Sequence, residues 1–387
     1  MNETHATKYL IGLPRTEMPG TAERARRLLS QIGDVHKSIS VIKILGEAGK
    51  SSASSLVAAL MASGGIRTGV LSLTPQSEPR LAIRIENEPP SHEMFAKAVT
   101  AAWNAAREIG LEAPTYGEML LTAALVHFSN EGCRTIILIL PKNQHLSATS
   151  ALPPSKLCLL TSTSGELAPA LIPLIDTAGD LVSAPQDPSV YRLLTERAAQ
   201  THCRLSFPTK KDVGEAAIQN GKLHFSYRGA AYSLPTLAHY QRDNALAVIE
   251  AYHALVRQGF RLTENDLEHA LATPPSALGF RLFSLSPTRL IDAADTPFRL
   301  RALADSLGKL PSLFGEPLTV WTEPRLAEPV RRILGDRVAM LRELEPGTLR
   351  RTIKKDPLPK ETPLLVVGAK PFAAEALRAL NDLFLYS

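Results

Sequence analysis

Cysteine is scarce in this chain: Cys133, Cys158 and Cys203 are the only three in 387 residues. An odd number without a CxxC spacing indicates neither a disulfide framework nor a thiolate zinc site, and free thiols in a reducing cytoplasm fit best. No apolar run reaches the ~18–20 residues that a membrane span needs. Residues Met1 to Tyr9 are polar and lack the apolar core of a secretory signal. The histidines form no HExxH pair and no evident metal cluster. Aromatic residues make up 5%, and Lys plus Arg (43) exceed Asp plus Glu (38) by five. That excess is scattered, with short pairs such as Lys210-Lys211 and Lys354-Lys355. No basic patch with interleaved aromatics emerges, so a nucleic-acid partner is not expected. A cytoplasmic protein that binds no membrane and no nucleic acid is the expectation.

What is present is a packed α/β chain. The length exceeds one ordinary core, and 44% hydrophobic with 21% charged residues is a globular composition. Ala22 to Ile32 has helical spacing with Gly33 as a stop, and Ile39 to Leu45 reads as a buried strand. A glycine turn, a helix over Ser51 to Ser63 and a strand over Thr68 to Leu73 follow, the unit of a parallel sheet. Leu81 to Ile85 reads as an extended excursion from that sheet. Helices are expected over Ser91 to Ile109 and Thr115 to Glu131, where Tyr116 and Glu118 sit in structural positions. Thr135 to Leu140 is an unbroken apolar strand of a covered sheet. Strands at Leu157 to Leu160 and Leu181 to Ser183, a helix at Ser189 to Ala199 and a hairpin over Leu223 to Leu234 come next. Helices at Tyr240 to Gln258 and Glu264 to Leu271 close the domain. Thr273-Pro274-Pro275-Ser276 is the linker candidate, giving domains 1–275 and 276–387. The second repeats the alternation: strand Arg289 to Asp292, helix Pro297 to Leu307, strand Leu318 to Trp321, helix Ala327 to Leu334, strand Leu364 to Val367 and helix Pro371 to Leu383. Leu344 to Pro363, dotted with prolines, reads as a loop.

Between the first strand and its helix lies Gly46-x-x-Gly49-Lys50-Ser51-Ser52. Glycines there let backbone N–H groups face an anion, Lys50 would meet β- and γ-phosphates, and a serine hydroxyl would hold Mg²⁺ at the helix N-terminus. The spacing is shorter than GxxxxGK[ST], so position rather than pattern carries the assignment.

The loop resembles the GTNGKGS loop of folylpolyglutamate synthases and dihydrofolate synthases, in the Mur ligase superfamily. Ala22 to Gly33 looks like the helix that precedes that strand in the family. Leu81 to Ser91 is similar to the family's ERIRINGEPIS stretch and Thr115 to Leu120 to its TYFEFLT helix start. Leu146 to Ser150 is similar to LDATN and Tyr240 to Ala245 to HQxxNA; Gly279 to Arg281 stands where the family has PGR, and Ile291 to Pro297 where it has LDGAHNP. The matches run in order over nearly the whole chain. They imply a Mur-ligase-like central domain with a phosphate loop and a parallel-rich sheet, plus a smaller Rossmann-like α/β C-terminal domain. By resemblance, Gly46, Gly49, Lys50, Ser51, Ser52, Asn244, Arg281 and Asp292 would bind nucleotide through phosphate, adenine-side and ribose contacts. Ser52, with Ser51 as a rival, would hold the metal.

Family members use ATP to turn a carboxylate into an acyl phosphate, which the amino group of glutamate attacks. Mg²⁺ neutralises the phosphates in that chemistry. Here the metal-binding glutamate falls on Ile139, and the GLGGR after it reads Pro141 to His145. No histidine lies near Thr161 to Glu166, and the EKAGI stretch with the carbamylated lysine reads Ile175 to Asp180. Isoleucine offers no oxygen to a hard cation. Glu47 and Ala48 replace Thr and Asn in the loop, and Asp295 and Thr296 replace the hinge His and Asn. Glu166 is the nearest substitute carboxylate and His145 the tempting replacement catalyst, although a lone loop histidine is usually solvated.

Two functions remain open at this point. One is a pseudoenzyme that kept the scaffold and binds a nucleotide, a pterin- or folate-like carboxylate, or a protein partner. The other is an ATP-dependent amide ligase joining an amino acid such as glutamate to a folate-like carboxylate. ATP and Mg²⁺ are the implied cofactors, both weakened or lost in the first case, which has no assigned catalytic residue.

Overall fold

A computed structural model describes residues 1–16, 20–74, 78–141, 147–274, 278–285, 287–355 and 362–384. The chain divides into two compact units, Met1–Val213 with Asp243–Thr273, and Gly214–Arg242 with Pro274–Ser387. Each is a mixed α/β body with a parallel-rich sheet. Pro275 and Ser276 of the expected linker lie outside the described residues.

The first unit opens with α1 (Glu3–Ile11) and α2 (Thr21–Gln31), then β1 (Ser40–Leu45), α3 (Lys50–Ser63), β2 (Thr68–Ser72) and β3 (Ile83–Ile85). It continues with α4 (His92–Glu108), α5 (Tyr116–Asn130), β4 (Thr135–Ile139), β5 (Ser155–Leu160) and α6 (Ala168–Leu171). Then come β6 (Thr177–Ser183), α7 (Pro188–Thr201) and β7 (Arg204–Ser206). The seven strands run in the order β3-β2-β4-β1-β5-β6-β7. All neighbours are parallel except β3, which pairs antiparallel with β2 through Gly69–Ile85 and Leu71–Ile83. The stretch expected to leave the sheet therefore forms its edge; at three residues the strand is too short for a period to announce it.

Side chains alternate across β1, as they must in a strand. Val41 and Leu45 join a core built with α1, α2, α4, α5, α6 and α7, whereas Ile42 and Ile44 are buried outside that core, on the side where α3 packs. The chain thus leaves β1 for one face and leaves β5 for the other. In an open parallel sheet, such a divergence at the carboxyl ends of neighbouring strands makes the crevice where ligands sit.

Tyr116 is buried at the start of α5, and Glu118 is structural, as its helix-opening position suggests. Thr115 and Glu118 form a reciprocal capping box on α5. The fully buried Glu118 carboxylate also takes Arg24 Nε at 2.8 Å.

Next in the chain are β8 (Val213–Gln219), β9 (Lys222–Tyr227) and β10 (Ala230–Leu234), a three-stranded sheet in the order β10-β9-β8. The expected hairpin is its β9–β10 half. Helix α8 (Gln241–Arg257) begins at the division and α9 (Glu264–Leu271) packs on α3 within the first unit. The second unit then holds β11 (Arg281–Leu285), β12 (Thr288–Asp292), α10 (Pro297–Gly308), α11 (Pro311–Phe314) and β13 (Leu318–Thr322). It ends with α12 (Ala327–Leu334), β14 (Val338–Glu343), α13 (Leu349–Lys355), β15 (Leu364–Val367) and α14 (Lys370–Phe384). Its five strands are ordered β11-β12-β15-β13-β14. Helix α13 corrects the expectation of a plain loop over Leu344 to Pro363, because prolines flank but do not enter those seven residues. Among the described residues, no helix is long and apolar enough to cross a membrane.

Candidate functional site

Strand β1 ends at Leu45, and the chain turns through Gly46 (φ 132°) and Gly49 (φ 90°), backbone conformations that side chains disfavour. Both glycines are also required by space. A Cβ at Gly46 would run into Thr161, and one at Gly49 would overlap the Asn244 side chain. Asn244, on α8, thus lies against the phosphate loop. Helix α3 starts at Lys50 with Gly49 as its N-cap, without a side-chain cap and without an acidic residue in its first turn. That end carries partial positive charge. Lys50 is buried, and its ammonium donates to the Gly46 carbonyl; Ser52 is buried beside it in sequence, and Ser51 is half-buried.

The loop after β5 completes the other wall. The Ser162 carbonyl accepts from Glu47 N at 3.1 Å and Ala48 N at 3.0 Å. The buried Glu47 carboxylate accepts from Ser164 Oγ at 2.7 Å and Ser164 N at 3.2 Å. Gln186, after β6, secures that wall: its amide donates to Thr161 O at 3.0 Å and accepts from Thr163 N at 3.1 Å. Sequence reasoning did not single out Thr161, Ser162, Ser164 or Gln186. The strand-order rule for crevices would have pointed to the loop after β5, had the order been known.

The structure therefore brings six expected residues together in the first unit: Gly46, Gly49, Lys50, Ser51, Ser52 and Asn244. Arg281 and Asp292 belong to the second unit. Arg281 opens β11 and is exposed, while Asp292 ends β12 and is buried. One Asp292 oxygen accepts from Tyr240 Oη at 2.7 Å and from Phe280 N at 2.8 Å. Phe280 is buried at φ 51°, an unusual conformation for a bulky residue, so Asp292 fixes the strained residue directly before Arg281. Asp292 does not cap α10; Thr296 does, accepting from Arg299 N with Pro297 behind it. Asp295 pairs with Arg299 at 2.8 Å.

Burial pushes the Asp292 carboxyl up from 3.8 to about 6, against the hydrogen bonds and the Arg299 charge, which lower it. The same burial, together with the Asp292 charge, pushes the Tyr240 hydroxyl well above its ordinary value. With the folded pKa above the unfolded one, the folded state binds the proton more tightly. Stability is then lost as pH rises from about 4 through about 6. Asp292→Asn keeps an oxygen for both donors and removes the buried charge. It is expected to stabilise the protein by about 1–2 kcal/mol at neutral pH and by less near pH 5, measurable by denaturant unfolding at both values.

The metal positions do not fit a metal held by the protein. Ile139 is buried in the apolar strand β4, and the stretch after β5 presents the hydroxyls of Thr161 to Ser164. Asp176, near the lysine position, pairs with the buried Lys43, whose ammonium lies 2.6 Å from Oδ2. Among the described residues, no group of three or more His, Cys, Asp or Glu could hold a metal ion. His145 lies outside the described residues. Glu166 is not part of any such group. Ile139 offers no oxygen ligand and the Asp176 carboxylate is engaged by Lys43, so neither of these two positions would join Ser52 in holding a hard cation.

No protein-family model matches the chain. The chain is 23% identical over 321 residues to a Haloferax volcanii protein named "Probable bifunctional folylpolyglutamate synthase/dihydropteroate synthase", covering 77% of this chain but only 38% of that relative. It is 21% identical to the folylpolyglutamate synthase of Lacticaseibacillus casei, covering 83% of this chain and 79% of that one. The fold is that of solved folylpolyglutamate synthases. The apo form from L. casei superposes with a TM-score of 0.83 at 18% identity, over 99% of this chain and 100% of that one. A structure described as an FPGS-AMPPCP-folate complex gives 0.83 at 19% identity, over 98% and 99%. The α/β fold of solved folylpolyglutamate synthases and the resemblance to that family are thereby shown.

Proposed function

We propose that this chain is a folylpolyglutamate-synthase-like protein that binds a nucleotide through the Gly46–Ser52 loop and has lost all or nearly all ligase turnover. The observation that carries this reading is the joint replacement of the metal-holding positions. Ile139 is sealed in the sheet, hydroxyls stand where the histidine would be, and Asp176 is tied to Lys43. One such loss could be compensated nearby; three at once remove the metal charge that would neutralise the phosphates in phosphoryl transfer. Nucleotide binding is supported by the two space-restricted glycines, the inward Lys50 and Asn244 against the loop. The relative solved with AMPPCP and folate makes a folate-like carboxylate the second ligand to test. The cysteines are free thiols, with Cys133 and Cys158 buried, which suits a reducing cytoplasm.

The test is titration of the purified protein with ATP, with and without Mg²⁺, by calorimetry, followed by assay of ADP release with folate and glutamate. Binding without substrate-dependent ADP release is expected. ADP release that requires the carboxylate and the amino acid would establish an active ligase instead. No binding at millimolar ATP would move the search to a protein partner.

A further inference from the structure

In the glycine turn before the N-terminus of α3, beside Lys50, the chain places a carboxylate. Glu47 is buried, and two donors converge on one of its oxygens, the hydroxyl and the backbone N–H of Ser164. This is how an anion is held by charge-assisted hydrogen bonds. The bond crosses 117 residues of sequence, joining the loop after β1 to the loop after β5. Those are the two connections that diverge to opposite faces of the sheet, so Glu47 spans the crevice in which a ligand would lie. The neighbouring backbone is stitched the same way, since Glu47 N and Ala48 N both donate to the Ser162 carbonyl. Gln186 holds Thr161 and Thr163 from behind.

The geometry points to Glu47 as a charge-selecting residue that disfavours highly charged phosphate ligands and shifts the site towards nucleotides with few phosphate charges. The inference rests on the nucleotide-binding reading above. Its physical basis is Coulombic. A fixed negative charge in a buried, weakly screened loop repels a ligand in proportion to that ligand's own charge near the loop. A triphosphate is therefore penalised more than a monophosphate. The Ser164 backbone N–H, which a change of the Ser164 side chain leaves in place, keeps the carboxylate from swinging away when a ligand arrives.

Calorimetric titration of the full chain with ATP and with AMP, in the presence of a chelator, tests this. Three proteins are compared: the parent, Glu47→Gln and Ser164→Ala. Glu47→Gln keeps an oxygen for Ser164 and removes the charge. It is expected to tighten ATP binding at least about tenfold and AMP binding less than about threefold. Ser164→Ala keeps the charge and is expected to retain the parent's ratio of ATP to AMP affinity. Thermal unfolding verifies that each variant is folded. Equal gains for ATP and AMP, no gain at all, or a Ser164→Ala protein that behaves like Glu47→Gln would each overturn charge selection while leaving nucleotide binding standing. If none of the three folded proteins binds either nucleotide, the nucleotide reading itself fails and this inference falls with it.

Discussion

Lys50→Met is expected to weaken ATP binding about a hundredfold while the protein stays folded. The apolar stem of the lysine is retained by methionine, so the packing of this buried position survives. What disappears is a cation that the structure holds inside the loop by its bond to the Gly46 carbonyl. A hydrogen bond to a charged group contributes about 1.5–3 kcal/mol. Direct attraction to the phosphates adds to this in a weakly screened site. A loss of about 2–3 kcal/mol is a factor on the order of a hundred in the dissociation constant. Thermal unfolding should change little, because taking a buried charge out removes a desolvation cost along with its hydrogen bond. A Lys50→Met protein that binds ATP as tightly as the parent would falsify the assignment of the phosphate loop.

Much of the first unit was legible because its elements carry strong local signals. The apolar run at Thr135 to Leu140 became β4, and Ser91 caps α4 as its position before a periodic stretch suggested. In the second unit, α12 and β15 begin and end where the pattern placed them. The edge strands β11 and β14 escaped notice because neither alternates. Their residues are half-buried or exposed without a two-residue period, and each pairs on one side only. The candidate site divides along the same line. The glycines, Lys50 and the serines are adjacent in sequence and read directly. Glu47 was visible as a charge beside an anion site, but its partner Ser164 was not, since only the order of β1 and β5 in the sheet brings the two loops together. The pairing of Lys43 with Asp176 was hidden for the same reason. A lysine in a buried strand reads as an anomaly until Asp176, directly before β6, supplies its counter-charge.

The contact between Gly49 and Asn244 gives the second large effect. Gly49→Ala is expected to lower stability by about 3 kcal/mol and to reduce ATP affinity by about a hundredfold or more. Two costs combine. An alanine at φ 90° sits where its Cβ crowds the backbone, worth about 1–2 kcal/mol. Its methyl would also overlap the Oδ1 and Cγ of Asn244, a buried side chain with little room to turn. The two can be separated by a double-mutant cycle, since residues in contact couple and distant ones do not. In the Asn244→Ala background the overlap is gone and the backbone cost remains, so Gly49→Ala should there cost about half as much as in the parent. Denaturant unfolding of the four proteins measures the difference. Additive effects in stability would mean that Asn244 does not press on the loop, and its place in the nucleotide site would have to be abandoned. A strong coupling in stability, with ATP affinity lost in both single variants, would tie α8 to the phosphate loop as one binding unit.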